Sequence, residues 1–145
     1  MSSAGAASLT AGTTTAVLAS AQQAATARGI ACSVSVVDAS GHLLGFIRMD
    51  GGTLAGIELS LSKARTSVLV GGHSTAALAR ELASEPAFVV GLAVGGSLAI
   101  VAGGEPLRRD GILVGAIGVS GVAADSDVAI AVEAAAARGL QEGRP

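Results

Sequence analysis

The polar residues best placed to do chemistry form two short clusters near the middle of the chain. Arg48 and Asp50 end an otherwise apolar stretch, and Lys63, Arg65 and Thr66 fall within about one helical turn. Basic side chains hold carboxylates, and an apolar strand beside them suits the body of a flat anionic ligand. For each residue alone, a strand-end ion pair or a solvated helix face is the simpler explanation. Together the two clusters favour an anion-binding rim.

A second informative stretch runs from Gly103 to Gly121 and reads as a hairpin. Asp110-Gly111 favours a tight turn because both residues tolerate positive φ. The second limb, Ile112–Val119, is apolar on both faces and carries glycine in place of bulk. Such a strand is buried on both sides or lies closely against another element. We expect a guest molecule or a neighbouring subunit beside it.

This stretch nearly matches two known motifs, one cofactor-binding and one catalytic, but fits neither. The GxxGxxG spacing of Gly115–Gly121 lacks the adjacent GxG pair of dinucleotide-binding turns. Ser120 lies in a near match to the GxSxG nucleophile elbow, but the second glycine comes one residue early and no histidine follows. We interpret Ser120 as a turn hydroxyl, with ligand contact as the second possibility.

The metal-ligating residues are few and far apart. His42 and His73 are the only histidines and Cys32 is the only cysteine, so no metal-ligand spacing is present and we predict no metal site. His73 follows two glycines and precedes a predicted helix, a place from which an axial ligand could project. A solvent-facing ring is the simpler explanation for it.

Composition limits the classes of function. A net charge of -2, with two Phe and no Tyr or Trp, speaks against nucleic-acid binding. No run reaches transmembrane length and the first residues lack the pattern of a signal peptide. We therefore expect a cytoplasmic protein, or a mature form whose leader has been removed, without a membrane partner. We divide the 145 residues into a flexible tail (1–9), a single domain (10–140) and a C-terminal tail (141–145).

Hydrophobic periodicity predicts an α/β (α+β) protein in which helices flank an antiparallel sheet. The expected elements are a helix at 10–28, strands at 32–37 and 43–49, helices at 54–69 and 75–82, strands at 98–102 and 112–119, and a helix from 125. In helix 54–69 we expect a core-facing stripe with Glu58, Lys63 and Arg65 off it. The stripe consists of Leu54, Ile57, Leu61, Ala64 and Val68. Residues 88–96 are left as a connector.

Five motifs in order resemble the GlcG/HbpS-like family, also called the haem-degrading domain family, which includes the C-terminal domain of PduO-type proteins. They are Arg48-Met49-Asp50-Gly51, Lys63-Ala64-Arg65-Thr66, Gly103–Leu107, Gly115–Gly121 and Asp127–Ala131. The resemblance covers about residues 10–140. It implies a profilin-like fold with an antiparallel sheet, symmetric homo-oligomers up to octamers, and haem or related tetrapyrrole binding in some members.

The resemblance implies a small oligomeric haem-binding or haem-responsive protein. Family members ligate iron through a Thr or through a His near the N-terminal helix, and no His precedes His42 here. The residues that would hold propionates are Arg48, Lys63 and Arg65, and those that would approach iron are Thr66, His73 and Thr75.

Two other functions stay open from the sequence. One is an enzyme or enzyme accessory acting on a small polar metabolite or biosynthetic intermediate, with Asp50 or Glu105 as acid or base and Arg48 or Lys63 holding an anion. The other is a structural oligomer-forming partner without a ligand.

Overall fold

The computed structural model describes residues 8–141, which form a four-stranded antiparallel sheet with helices on both faces. The strand order is β2-β1-β4-β3. In chain order the elements are α1 (Ala11–Ala27), β1 (Ser33–Asp38), β2 (Leu43–Arg48), α2 (Ala55–Leu69), α3 (Thr75–Glu81), α4 (Pro86–Gly96), β3 (Gly104–Arg109), β4 (Ile112–Ser120) and α5 (Ala124–Ala137). The predicted fold class is confirmed. Most of the two predicted tails, 1–9 and 141–145, lies outside the described residues. Leu9, assigned to the first tail, is buried in the main apolar core.

Local signals in the sequence set several element boundaries. The Thr10 hydroxyl accepts a hydrogen bond from the Thr13 amide at 3.0 Å, which caps α1. Gly29 then takes a left-handed conformation with φ 66° and ends it. Asp110 and Gly111 both have positive φ, 52° and 79°, as the predicted turn between β3 and β4 requires.

The sheet presents two chemically different faces because side chains alternate along each strand. On β1, Val34 and Val36 point into the main apolar core, which α1 and α5 cover. Ser35 and Val37 point the other way, where the Ser35 hydroxyl meets that of Ser60 on α2 at 2.8 Å. The sheet therefore has an α1/α5 face and an α2 face.

Glycines let α2 lie directly on the sheet. A Cβ on Gly118 of β4 would run into the Ser60 carbonyl, and one on Gly104 of β3 into the Lys63 carbonyl. The close approach predicted for the glycine strand is confirmed. The expected occupant is wrong at these positions, because α2 of the same chain fills the space in place of a guest molecule or a neighbouring subunit.

Two predicted elements differ in the structure. Residues 98–102 form no strand; there the Ala99 amide donates to the Thr66 hydroxyl at 2.9 Å, and pairing with β4 begins only at Gly104. Residues 88–96, assigned to a connector, belong to helix α4, which starts with Pro86 in its first turn.

The predicted core-facing stripe of α2 is wrong in part. Leu54 is 74% exposed, whereas Ser60, Lys63 and Ser67 are buried against the sheet. Ala64 is buried as expected, with Leu61 and Val68 packed beside it. The residues that face the sheet here are small or polar, so hydrophobicity misplaced the buried side.

The helices within residues 8–141 include none that is both long and apolar enough to cross a membrane.

Candidate functional site

Lys63, expected on a solvated helix face, is 2% exposed and ends in a buried ion pair. Its Nζ donates to Asp127 Oδ2 at 3.0 Å and to the Val119 carbonyl at 2.8 Å. Asp127 Oδ1 accepts from the Gly121 amide at 2.8 Å. The pair joins α2 on one face of the sheet to α5 on the other, at the end of β4. The ammonium is therefore engaged inside the protein.

Both candidate threonines are buried and hydrogen-bonded within the α2 face. The Thr66 hydroxyl donates to the Ser62 carbonyl at 2.6 Å and accepts from Ala99. The Thr75 hydroxyl accepts from the Gly104 amide at 2.8 Å, which fixes the start of β3 against α3. Both hydroxyls hold the backbone in place and neither faces solvent.

Arg48, Asp50, Arg65 and His73 are exposed. No hydrogen bond or ion pair joins any of these four side chains to another residue in the described range 8–141. The ion pair between Arg48 and Asp50 that the sequence left open is thus not formed. These are the polar candidates that remain available to an external ligand.

The structure places Arg48 and His73 at opposite ends of α2. Arg48 pairs across the sheet with Ser33, whose hydroxyl lies 3.2 Å from the position of a Cβ on Gly56 in the first turn of α2. His73 follows Gly72, which lies beside Leu113 at the start of β4. Since α2 has 15 residues, the two ends are about 22 Å apart. One small ligand cannot contact both residues in one subunit.

The remaining candidates do not converge either. Asp50 follows the edge strand β2, whereas Glu105 lies in the opposite edge strand β3, paired with Ile117 on the α1/α5 face. Ser120 is 6% exposed at the end of β4, in register with Ser33. The two carboxylates proposed as acid or base therefore stand at opposite edges of the sheet.

The single cysteine lies in the apolar core on the α1/α5 face. Its Sγ is 3.7 Å from Met49 Sδ. Burial, and secondarily the negative charge of Asp127, raise the pKa of the Cys32 thiol from 9.0 to about 11. The thiol stays protonated and unreactive at neutral pH. No three His, Cys, Asp or Glu side chains within residues 8–141 form a group that could hold a metal ion.

Two residues that matter in this geometry were missed at the level of sequence. The sequence indicates Asp127 only as part of a helix start and of a family motif, yet it holds the buried ammonium. The one available signal was that Lys63 is the only lysine in the chain and lies among small residues. Phe46 was read as a strand residue, yet its ring is 37% exposed beside Arg48 on β2.

Comparisons with known proteins confirm the resemblance. The model of the family described as haem degrading protein HbpS-like matches residues 9–136. A search of curated proteins finds no match.

Three solved structures share the fold along nearly the whole chain. A double mutant of HbpS from Streptomyces reticuli is 33% identical, with a TM-score of 0.80 over 90% of this chain and 86% of that one. A PduOC:heme complex is 28% identical, with a TM-score of 0.84 over 94% and 99%. Protein ORFY of Klebsiella pneumoniae is 26% identical, with a TM-score of 0.82 over 92% of each chain. With this match over residues 9–136 and this fold, the chain belongs to the HbpS-like family.

Proposed function

We propose that this protein binds haem or a related tetrapyrrole, as a homo-oligomer. The observation that carries the proposal is the match, over 94% of this chain, to a relative whose structure is a haem complex. The chain's own residues fit such a group, because it exposes apolar surface on β2 beside an arginine without an internal partner. Haem would supply an iron centre that can take up an axial ligand. In a protein that degrades haem, the bound haem is itself the substrate.

The propionates of the ligand would be held by the exposed arginines, Arg48 and Arg65. Guanidinium groups bind carboxylates through paired, charge-assisted hydrogen bonds. Lys63 was a third candidate, but its ammonium is already bonded to Asp127 and Val119. Releasing the ammonium would leave the buried Asp127 carboxylate without its counter-charge, at a cost of about 3–5 kcal/mol.

Among the candidate iron ligands, His73 is the one with an exposed side chain, since Thr66 and Thr75 are buried. A haem held by Arg48 lies too far from His73 of the same subunit. His73 would therefore ligate a haem only at its own end of α2, or one held by another subunit.

Titration of the purified protein with haemin tests the proposal. We expect a shift of the Soret band at micromolar haemin, and a changed spectrum for His73→Ala if the imidazole ligates iron. A Soret band identical to that of free haemin would refute haem binding. An unchanged spectrum in His73→Ala would remove the ligand assignment alone.

Helix α4 supports the homo-oligomer. Pro86–Gly96 contains no charged residue and none of its residues is buried; Val90 is 60% exposed and Val94 81%. An uncharged exposed helix of this kind is typical of a subunit contact. Light scattering after size exclusion should give a mass of several subunits, up to eight, and Val94→Glu should lower it. A monomeric wild type would refute the assembly. A cytoplasmic location is part of the same proposal and is tested by cell fractionation.

The enzyme alternative gains no support from geometry, because Asp50 and Glu105 lie at opposite edges of the sheet.

A further inference from the structure

One edge of the sheet carries an open apolar surface beside a cation. Leu43, Phe46 and Arg48 of β2 pair with Val37, Ser35 and Ser33 of β1 respectively. The register shift between Val36 and Val37 places Leu43 on the same face as Phe46 and Arg48. We call these three residues of β2 the β2 ledge.

The β2 ledge lies on the α2 face of the sheet but beyond the cover of α2. The helix rests on β1, β4 and β3, where its Ser60 carbonyl meets Gly118 of β4 and its Lys63 carbonyl meets Gly104 of β3. It leaves Leu43 52% and Phe46 37% exposed on the outer strand. The opposite face of β2 is closed, since Gly45 packs against Thr14 and Leu18 of α1. An edge strand with one exposed apolar face is typical of a binding site or of a site of aggregation.

Aromatic residues are scarce enough to decide where a macrocycle can stack. The chain contains two Phe and no Tyr or Trp, so Phe46 and Phe88 are the only aromatic rings besides histidine. Phe88 is 55% exposed on α4, a helix with no charged residue. Phe46 instead has Arg48 two residues along the same strand, on the same face and about 7 Å away along the backbone.

Arg48 is also positioned by the backbone around it. A Cβ on Gly52 would lie 3.1 Å from Arg48 Cγ, so the aliphatic stem of Arg48 packs against Gly52. The guanidinium has no hydrogen bond or ion pair with another residue in the described part of the chain. A cation held this way beside an exposed ring is complementary to a planar apolar molecule with a carboxylate at its rim.

We propose that the β2 ledge is the seat of a tetrapyrrole dicarboxylate, with the Phe46 ring against the macrocycle and the Arg48 guanidinium on one propionate. The proposal rests on the proposed function, and it locates the ligand there. Leu43 extends the apolar floor and α2 walls one side. Asp50 is exposed two residues beyond Arg48, and its negative charge repels the carboxylates of the ligand.

The test uses protoporphyrin IX, a metal-free dicarboxylate, and follows its fluorescence on titration with the full-length protein. Because this ligand has no iron, its affinity depends on contacts such as those of the ledge and not on an axial ligand. We expect Phe46→Leu and Arg48→Gln each to weaken binding by about five- to tenfold. Asp50→Asn should tighten it by about twofold, because a like charge is removed.

Matched controls lie elsewhere on the molecule. Phe88→Leu changes the other phenylalanine and Arg80→Gln an exposed arginine on α3, and both should bind within about twofold of the wild type. Urea unfolding of each variant checks that Phe46→Leu, at a half-exposed edge position, remains folded. Light scattering checks that the assembly is unchanged.

The outcomes separate the ledge from the haem function. Wild-type affinity in both Phe46→Leu and Arg48→Gln overturns the ledge, even if haemin still shifts its Soret band. Loss of binding in Phe88→Leu would place the binding site on α4 and overturn the proposal. A changed oligomer size with an unchanged affinity in Phe46→Leu or Arg48→Gln would make the ledge a subunit contact and overturn it too. Failure of the wild type to bind protoporphyrin IX overturns it as well. If protoporphyrin IX binds through Phe46 and Arg48 while haemin gives no iron-linked change, iron ligation fails, whereas tetrapyrrole binding and the ledge stand.

Discussion

The two faces of the sheet are attached to their helices by different interactions. On the α1/α5 face, contact is made by apolar side chains such as Val36, Ile117 and Ile130, all fully buried. On the α2 face, hydroxyl groups and one ammonium bond to backbone carbonyls and amides, as Lys63 does to Val119 and Thr75 to Gly104. One face is held by burial of apolar surface, whereas the other adds specific hydrogen bonds at close backbone contact to a small apolar cluster around Ala64.

This difference has consequences for how each face responds to change. Apolar packing loses stability in proportion to the atoms removed, and neighbouring side chains adjust in part. A buried polar network has a steeper response, because removing one partner leaves the other desolvated without a bond. Small substitutions on the α2 face should therefore lower the free energy of unfolding more than those on the α1/α5 face.

The largest effect is expected from Lys63→Met. Methionine keeps the apolar stem but leaves Asp127 Oδ2 and the Val119 carbonyl buried without the ammonium. We expect the free energy of unfolding to fall by about 3–5 kcal/mol. Urea denaturation at fixed protein concentration measures it.

A double-mutant cycle distinguishes the ion pair from general packing. Asp127→Asn alone leaves the ammonium without its counter-charge, whereas Lys63→Met with Asp127→Asn removes both charges. The double variant should lose less stability than the sum of the single losses, by about 1–3 kcal/mol. Simple additivity would show that the pair contributes no coupling across the sheet.

Gly118→Ala should have the next largest effect. The added methyl group would collide with the Ser60 carbonyl and would lie 2.7 Å from the Ala64 amide nitrogen, so α2 must move away from β4. We expect a loss of about 2–3 kcal/mol in the same urea measurement. Gly91→Ala in α4 is the control, because no atom lies within 4 Å of its Cβ position and alanine favours a helix. A Gly118→Ala protein as stable as that control would mean that α2 does not contact the strand so closely.

Features with local causes could be predicted from the sequence. The cap at Thr10, the stop at Gly29 and the turn at Asp110-Gly111 each depend on residues that are neighbours in the chain. The antiparallel sheet followed from the hairpins that such turns create. The glycines of β4 also showed, without any partner in view, that something must lie close to that strand.

Features that depend on the partner surface could not be predicted. The buried side of α2 is polar because it faces glycines and backbone carbonyls on β3 and β4, and hydrophobic periodicity assumes the opposite. Residues 98–102 are apolar enough for a strand, yet β4 is already paired with β1 and β3 on its two sides. The separation of Arg48 from His73 by the length of α2 is likewise a property of the tertiary fold.

The apolar face offers a pH test through its one titratable group in the core, Cys32. Its thiol pKa is raised to about 11 in the folded protein against 9.0 as the ordinary value, so between these values the unfolded chain loses a proton that the folded protein keeps. The unfolded state then binds fewer protons, and stability falls as pH rises: by about 1 kcal/mol between pH 9 and pH 10. Below pH 9 this contribution is fully present.

The comparison protein for this pH test is Cys32→Ala, which lacks the thiol. Urea unfolding across pH 8–11 should show the stability difference between wild type and variant shrinking as pH rises. Parallel curves would mean that the thiol is not held protonated by burial.

The smallest net effect is expected where a polar contact on the α2 face is removed as a whole. The Ser35 and Ser60 hydroxyls lie 2.8 Å apart and buried, and Ser60 also donates to the Ile57 carbonyl. Ser60→Ala leaves the Ser35 hydroxyl buried without a partner and should cost about 1–2 kcal/mol, whereas Ser35→Ala leaves Ser60 its bond to Ile57 and should cost less. Replacing both should cost less than the sum, because no hydroxyl is then left unsatisfied. If the two losses simply add, the α2 face is held by packing in the same way as the α1/α5 face, and the contrast between the two faces disappears.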